Sequence, residues 1–459
     1  MKKAWEIERI HRDSAVPQDR RKHASNWYHS DTVFPHGDDL LKMFWKSSVP
    51  GSFAPEIPFL EMAQAWSNQG YDVSEAEKMI PEGIRLNETG DVESLRVLSA
   101  RYLRALNQAP KIPDHPYHAY EHPMSWESVM AAQPARKKQD GIRPPWKENY
   151  APQIHQGWIG QLAGGSFGTA IEGYIGSQIA AVYGEVDYYI TPPETLNDDV
   201  VYELILLDAF EKHGRGLSAA DIAAEWVRKL VFGWSAEWIA LRNLNMGLFP
   251  PESGSFLNYY ADWIGVQMRG MICGMLAPNW PLEAARLAFT DGIVSHANNG
   301  VYGGMAAAAM TALAFKEANP RAILENTLDY LPEKSEYAAK YRFVLSVLHS
   351  ESDPKTAWAK IEPHFERYNW IHAYPNMAAD LFALWYGEGD FTASMKYLAL
   401  AGYDVDCNAG LVGNVLGIIQ RVPAQWADPI GDLLETYIAG KEKLSILELA
   451  ERTAALARQ

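Results

Sequence analysis

The chain is poor in cysteine, with two in 459 residues, Cys273 and Cys407, far apart in the sequence. That excludes a disulfide-stapled miniprotein and makes a reducing compartment, the cytoplasm, the expected setting. It has no run of about 18 consecutive apolar residues, so no membrane span is expected. The longest Ala-rich stretch, Met305 to Phe315, is too short and reads as a buried helix. The N-terminal residues carry charge but lack an apolar core segment, which argues against a secretory signal. Basic residues are in deficit: Lys+Arg 41 against Asp+Glu 57 gives a net charge of −16. Such a surface repels a phosphate backbone, so sequence-independent nucleic-acid binding is not expected. Strand signals are scarce, Val186 to Ile190 being the one β-like run, and no internal period points to a solenoid.

What is present is ordinary globular composition, 47% apolar and 21% charged. Eight of the 27 prolines fall between Pro110 and Pro152. That stretch predicts an extended connection over residues 109–153. Before it, Asp91 to Leu106 has helical spacing, with Leu95, Val97, Leu98, Tyr102, Leu103 and Leu106 near one face. Residues 1–108 therefore read as an N-terminal helical extension. From residue 154 to 459 the pattern is helix after helix. Ser218 and Asp221 form a capping-box variant, Pro281 suits a first helical turn, and Val301–Glu317, Met377–Tyr386 and Phe391–Ala401 have helical spacing. The expected fold class is all-α, a compact orthogonal multi-helix bundle.

Three segments place polar residues where a bundle should be apolar. Gly157 to Gly173 has small residues every three or four positions, a face that admits another backbone, with Glu172 as its only charge. Asn197-Asp198-Asp199 precedes an apolar helical run that Gly214 stops, so the aspartates sit at a helix N-terminus, where capping alone explains one of them. In Gly402-Tyr403-Asp404-Val405-Asp406-Cys407-Asn408, two carboxylates are wedged between apolar helices. Two such groups about 4 Å apart repel by roughly 4 kcal/mol at an effective dielectric near 20. A divalent cation resolves that repulsion, and oxygen donors point to magnesium, manganese or calcium.

The order Glu, N-D-D, D-x-D with glycine-rich flanks resembles the ADP-ribosylglycohydrolase family, relatives of the dinitrogenase-reductase-activating glycohydrolase. The resemblance spans roughly residues 155–455. The family's opening G-x-x-x-G-D-x-x-G and following Glu match Gly160 to Glu172. Its T-D-D matches Asn197 to Asp199, and its G-x-D-x-D-T or G-x-D-x-D-C-N with a glycine-rich helix matches Gly402 to Gly417. One branch adds S-H-x-x-N-G-x-Y, seen from Ser295 to Tyr302, H-x-x-x-N at His372 and Asn376, and N-x-x-x-x-W-I-G-x-Q from Asn258 to Gln267.

The resemblance implies a dinuclear site in the middle of the bundle, with two divalent cations, magnesium or manganese. Its metal ligands would be Asn197, Asp198, Asp199, Asp404 and Asp406, and its catalytic carboxylates Glu172, Asp198 and Asp199. His296, Asn299, Tyr302, Asn258, His372, Asn376 and Asn408 would contact substrate. The chain departs from the family's motifs at four positions. Asn197 replaces Thr, Val200 a frequent Thr, Gly165 an Asp, and Cys407 a Thr that often ligates. A thiol suits magnesium poorly, so Cys407 reads as a small buried residue rather than a ligand.

The implied activity is hydrolysis of an N- or O-glycosidic bond at the ribose anomeric carbon of an ADP-ribosyl or related ribosyl substrate. The partner would be a small ribosyl molecule or an ADP-ribosylated protein, including arginine-linked and serine-linked forms. Arg242 and Arg269 are isolated in the sequence, which leans toward a smaller substrate such as a nucleoside or riboside. The competing reading is a non-catalytic descendant that binds ADP-ribose or a nucleotide.

Overall fold

The computed structural model describes residues 37–134, 143–146 and 149–459, so the first 36 residues of the N-terminal extension and part of the proline-rich connection lie outside the described residues. The architecture is all-α. Among the described residues the strands are three two-residue antiparallel ribbons. Val186 to Ile190 is not a strand. Its tyrosines anchor a loop instead: the Tyr188 and Tyr189 hydroxyls donate to the Gln425 and Trp426 carbonyls, and both rings pack on Trp426.

Two helices, Ala151–Gly168 and Val405–Ile419, form the axis of the body. Their small residues meet in antiparallel register. A Cβ on Gly160 would stand 2.0 Å from the Gly413 carbonyl oxygen, one on Gly164 1.9 Å from the Ala409 oxygen, and one on Gly417 2.1 Å from the Gln156 oxygen. Gly410 is looser, 3.7 Å from the Gln161 side chain. The contact is backbone on backbone, so an added methyl has no side chain to push aside. Gly164→Ala is expected to destabilise the protein by about 1–3 kcal/mol, and denaturant unfolding checks this. An unchanged midpoint would mean that the two helices are not in contact there.

The neighbouring helices start and stop where local chemistry dictates. Asn197 caps Asp198–His213 by accepting from the Asp199 N–H at 2.8 Å, and Gly214, at φ 60°, ends it. Ser218 and Asp221 exchange side-chain and backbone hydrogen bonds at the head of Ala219–Lys229. Pro281 opens Pro281–Gly292. The helices predicted around Val301, Met377 and Phe391 run Asn298–Ala314, Ala373–Gly387 and Phe391–Ala401.

The C-terminal segment is tied to the body at Asp208. Its carboxylate accepts from Lys229, Lys441 and Arg452, which together outweigh burial and hold it down to about 2. A depressed carboxyl contributes stability above the unfolded-state value near 3.9, and loses it as pH falls through about 2. Asp208→Asn should therefore cost about 2–3 kcal/mol at neutral pH and almost nothing near pH 2. Chemical unfolding at both pH values reads the difference, and an equal cost at both would contradict this account.

Residues 37–107 form a second apolar cluster around Trp45, Phe59, Leu95 and Tyr102. Val92–Asn107 is helical as read, but Val97 points outward at 62% exposed, one step off the stripe made by Leu95, Leu98, Tyr102 and Leu106. The cluster closes on Tyr259, Tyr260 and Trp263 of the body. The chain from there leads directly to Met268 and Arg269, beside the acidic cluster described next.

Candidate metal centre

The site is assembled from two helix N-termini and one turn. Ala151–Gly168 ends where Gly168 meets the Asp406 backbone, a Cβ there falling 2.2 Å from the Asp406 nitrogen. Glu172 is therefore not on the helix, as the glycine pattern suggested, but in the turn beyond it. That turn pairs with the D-x-D loop: Gly173 N–H donates to the Tyr403 carbonyl at 2.8 Å, and Tyr174–Ile175 pairs with Gly402–Tyr403. Gly173 and Gly402 take φ of 80° and 75°, which glycine adopts without strain. The short ribbon brings Glu172 against Asp404.

Asp404 stands at the N-cap position of Val405–Ile419 and Asp406 in its first turn. Asp198 and Asp199 occupy the first turn of their own helix. Carboxylates at helix N-termini gain from the macrodipole and from orphan N–H groups. The two ends face each other, with Asn197 Nδ2 donating to Asp406 Oδ2 at 3.2 Å and Cys407 Sγ to Asp199 Oδ1 at 3.4 Å. Asn197's oxygen is engaged by its cap. Asn376 holds the loop from behind: its Oδ1 accepts from Asp404 N–H at 3.1 Å and from Asn408 Nδ2 at 2.8 Å.

Two groups of donor atoms lie within 4.8 Å of one another, Glu172–Asp404–Asp406 and Asp199–Asp406–Cys407. Asp404 and Asp406 are 3% and 6% exposed, and each has a buried Oδ1 without a hydrogen-bond partner. Burial, then repulsion from Asp406, Asp404, Asp198 and Asp199, drives the Glu172 carboxyl well above its usual range. Asp199 and Asp404 are driven up by burial and then by Asp406. Asp406 is also raised, by burial, against the hydrogen bonds it accepts. Asp198 is pushed up to about 7 by burial, then by Asp406 and Glu237. Buried acids that repel one another, with oxygens left over, fit a divalent cation: each pair at this spacing costs roughly 3–4 kcal/mol when both are ionised at an effective dielectric near 20. Beside Asn197 and Asp199, a cavity of about 10 Å³ is lined by Gly165, Ser166 and Thr195, at the position where the resemblance expected an aspartate.

The other residues read from the sequence sit farther back. Asn258 Nδ2 donates to the Ala236 and Ser295 carbonyls, and Tyr302 donates to the Pro123 carbonyl. Asn299 accepts from Tyr337 N–H, and His372 caps the Ala373–Gly387 helix through Nδ1. His296 is fully buried beside Ser295, its Nε2 without a partner.

Arg269, isolated in the sequence, is the centre of a buried ion network. Its guanidinium donates to Asp291, Glu237, Ser295 Oγ and the Gly265 carbonyl, between the Tyr202 and Trp226 rings. Glu237 links this network electrostatically to Asp198, and Tyr437, whose buried hydroxyl has no partner, feels Asp198, Asp199 and Glu237. No motif marked Glu237 or Tyr437. Glu237 sits in the first turn of Ser235–Asn245, where its acid reads as ordinary helix charge.

An all-α body closing a buried cluster of carboxylates at two helix N-termini defines the class. The chain belongs to the ADP-ribosylglycohydrolase family, whose model matches residues 147–459. A solved structure described as an ADP-ribosylglycohydrolase-related protein complex is similar over 68% of this chain and 98% of its own, at 19% identity and a TM-score of 0.44. A comparison with curated proteins returns no match.

Proposed function

We propose that the protein is a metal-dependent glycohydrolase that cleaves an N- or O-glycosidic bond at the ribose anomeric carbon of an ADP-ribosyl or related ribosyl group. Family membership supports a hydrolase of glycosidic bonds. The observation that carries the metal dependence is the convergence of Glu172, Asp199, Asp404 and Asp406, with unpartnered buried oxygens on the last two. Asp404 and Asp406, with Asn197, Asp198 and Asp199, would hold two divalent cations, magnesium or manganese by analogy with the family. Bound there, such ions supply Lewis-acid polarisation and orient sugar hydroxyls and water.

The chain's own groups divide the remaining work. Glu172, in the turn beside Asp404, is the proposed acid/base: it would donate a proton to the departing aglycone and then accept one from the incoming water. As the C1–aglycone bond breaks, positive charge grows on the sugar, and the carboxylates around it stabilise that charge. Asp198, in the first turn of its helix, is the second acid/base candidate. Asn376 is a positioning residue that keeps the D-x-D loop in place. His296, Asn299, Tyr302, Asn258, His372 and Asn408 remain proposed substrate contacts.

A smaller riboside is the second reading, favoured by the enclosure of Arg269, which is 1% exposed and committed to Asp291, Glu237, Ser295 and the Gly265 carbonyl rather than to a diphosphate. Incubation with arginine-linked and serine-linked ADP-ribosyl peptides and with nucleosides, with manganese or with chelator, tests both. Metal-dependent release of ADP-ribose is the expected result. Release of free base from nucleosides alone would select the smaller substrate, and no release from any of them would leave a ligand-binding protein.

A further inference from the structure

Cys407 reads from the sequence as a small buried residue, but its surroundings are those of a ligand. Its Sγ, one oxygen of Asp199 and one of Asp406 lie within 4.8 Å of one another. Asp406 keeps a buried Oδ1 without a partner, and the Met268 thioether lies 4.0 Å from Cys407 Sγ. The second group, Glu172–Asp404–Asp406, is all oxygen. Asp406 belongs to both. The acidic cluster is thus asymmetric, hard on the Glu172 side and sulfur-lined on the Asp199 side.

We infer that Asp199, Asp406 and Cys407 form a mixed sulfur–oxygen cation position that prefers a borderline-soft divalent ion, such as zinc, cobalt or iron(II), over magnesium. The inference rests on the metal-site reading above and changes the ion at one of its two positions. Thiolate donors favour such ions, whereas carboxylate sets suit magnesium and manganese. Metal–sulfur bonds of about 2.3 Å and metal–oxygen bonds of about 2.1 Å put tetrahedral neighbours about 3.6 Å apart. Cys407 Sγ and Asp199 Oδ1, at 3.4 Å, already stand at that spacing. Coordination replaces the S–H bond by a sulfur–metal bond, and the proton passes to solvent. Cys273, the other cysteine, is buried and free and belongs to neither donor group.

The test uses the full-length, metal-free protein titrated with cobalt(II) and followed by absorption, with bound metal counted by equilibrium dialysis. A near-ultraviolet thiolate-to-cobalt charge-transfer band is expected, retained in Cys273→Ser and lost in Cys407→Ser. In the same Cys407→Ser variant, zinc affinity should fall by about tenfold or more while manganese affinity moves by less than about threefold. Zinc-edge X-ray absorption of the wild-type protein needs no variant, and should show one sulfur among oxygen neighbours. Bound cobalt without the band, or zinc with light neighbours alone, overturns the inference and leaves the metal centre standing. Failure of any divalent ion to bind overturns both.

Discussion

Asp404→Asn should lower turnover by at least about 10³-fold and, in the metal-free state, make the protein more stable rather than less. The two effects share one cause. Asp404 is buried against Asp406, with Glu172 in the same group, and its Oδ1 has no donor. Neutralising it removes roughly 1–3 kcal/mol of repulsion, and the new amide can donate to an Asp406 oxygen. The same change removes a ligand, so added manganese should stabilise the variant far less than the wild type. Thermal unfolding with manganese and with chelator reads both signs. A variant less stable than wild type in chelator, yet equally stabilised by manganese, would make Asp404 a structural residue.

Glu172→Gln should lower kcat by about 10²- to 10⁴-fold while leaving binding of ADP-ribose within a few-fold. Glutamine keeps the shape and loses the transferable proton. Glu172 is held by the turn and ribbon that end at Gly402–Tyr403, not by the helix, so its replacement leaves the Gly164–Ala409 contact and the D-x-D loop in place. Single-turnover kinetics beside calorimetry separates the two quantities. Retained turnover would move the acid/base role to Asp198. Parallel loss of binding and rate would instead make Glu172 a ligand-holding group.

The helices were legible because their boundaries rest on local chemistry. Ser218, Pro281 and Gly214 act on the few residues next to them, and a single sequence displays that. The glycine stripe was legible for the same reason: a face without side chains has one use, close approach of another backbone. The wedge of Asp404 and Asp406 between apolar helices announced a buried charge problem. Val97, set with Leu95 and Leu98 by its apolar character, lies two residues from one and one from the other, so it falls off their helical face and stays exposed. Other features depend on distant chain. Val186 to Ile190 has strand composition, yet among the described residues it pairs with no strand, and Trp426 takes its aromatic rings. Glu237, Arg269 and Tyr437 carry no motif and meet the site through three separate elements. The orientation of Cys407 toward Asp199 depends on how two helix ends face each other, which no spacing within either helix records.

In the proposed function the buried carboxylates hold divalent metal, and the metal organises an ADP-ribosyl ligand. Calorimetric titration of ADP-ribose into the protein, once with manganese and once with chelator, tests it directly. Saturable binding with manganese, and its loss in chelator, is the expected result. Equal binding in chelator, or no binding to protein shown to be manganese-loaded, would contradict it.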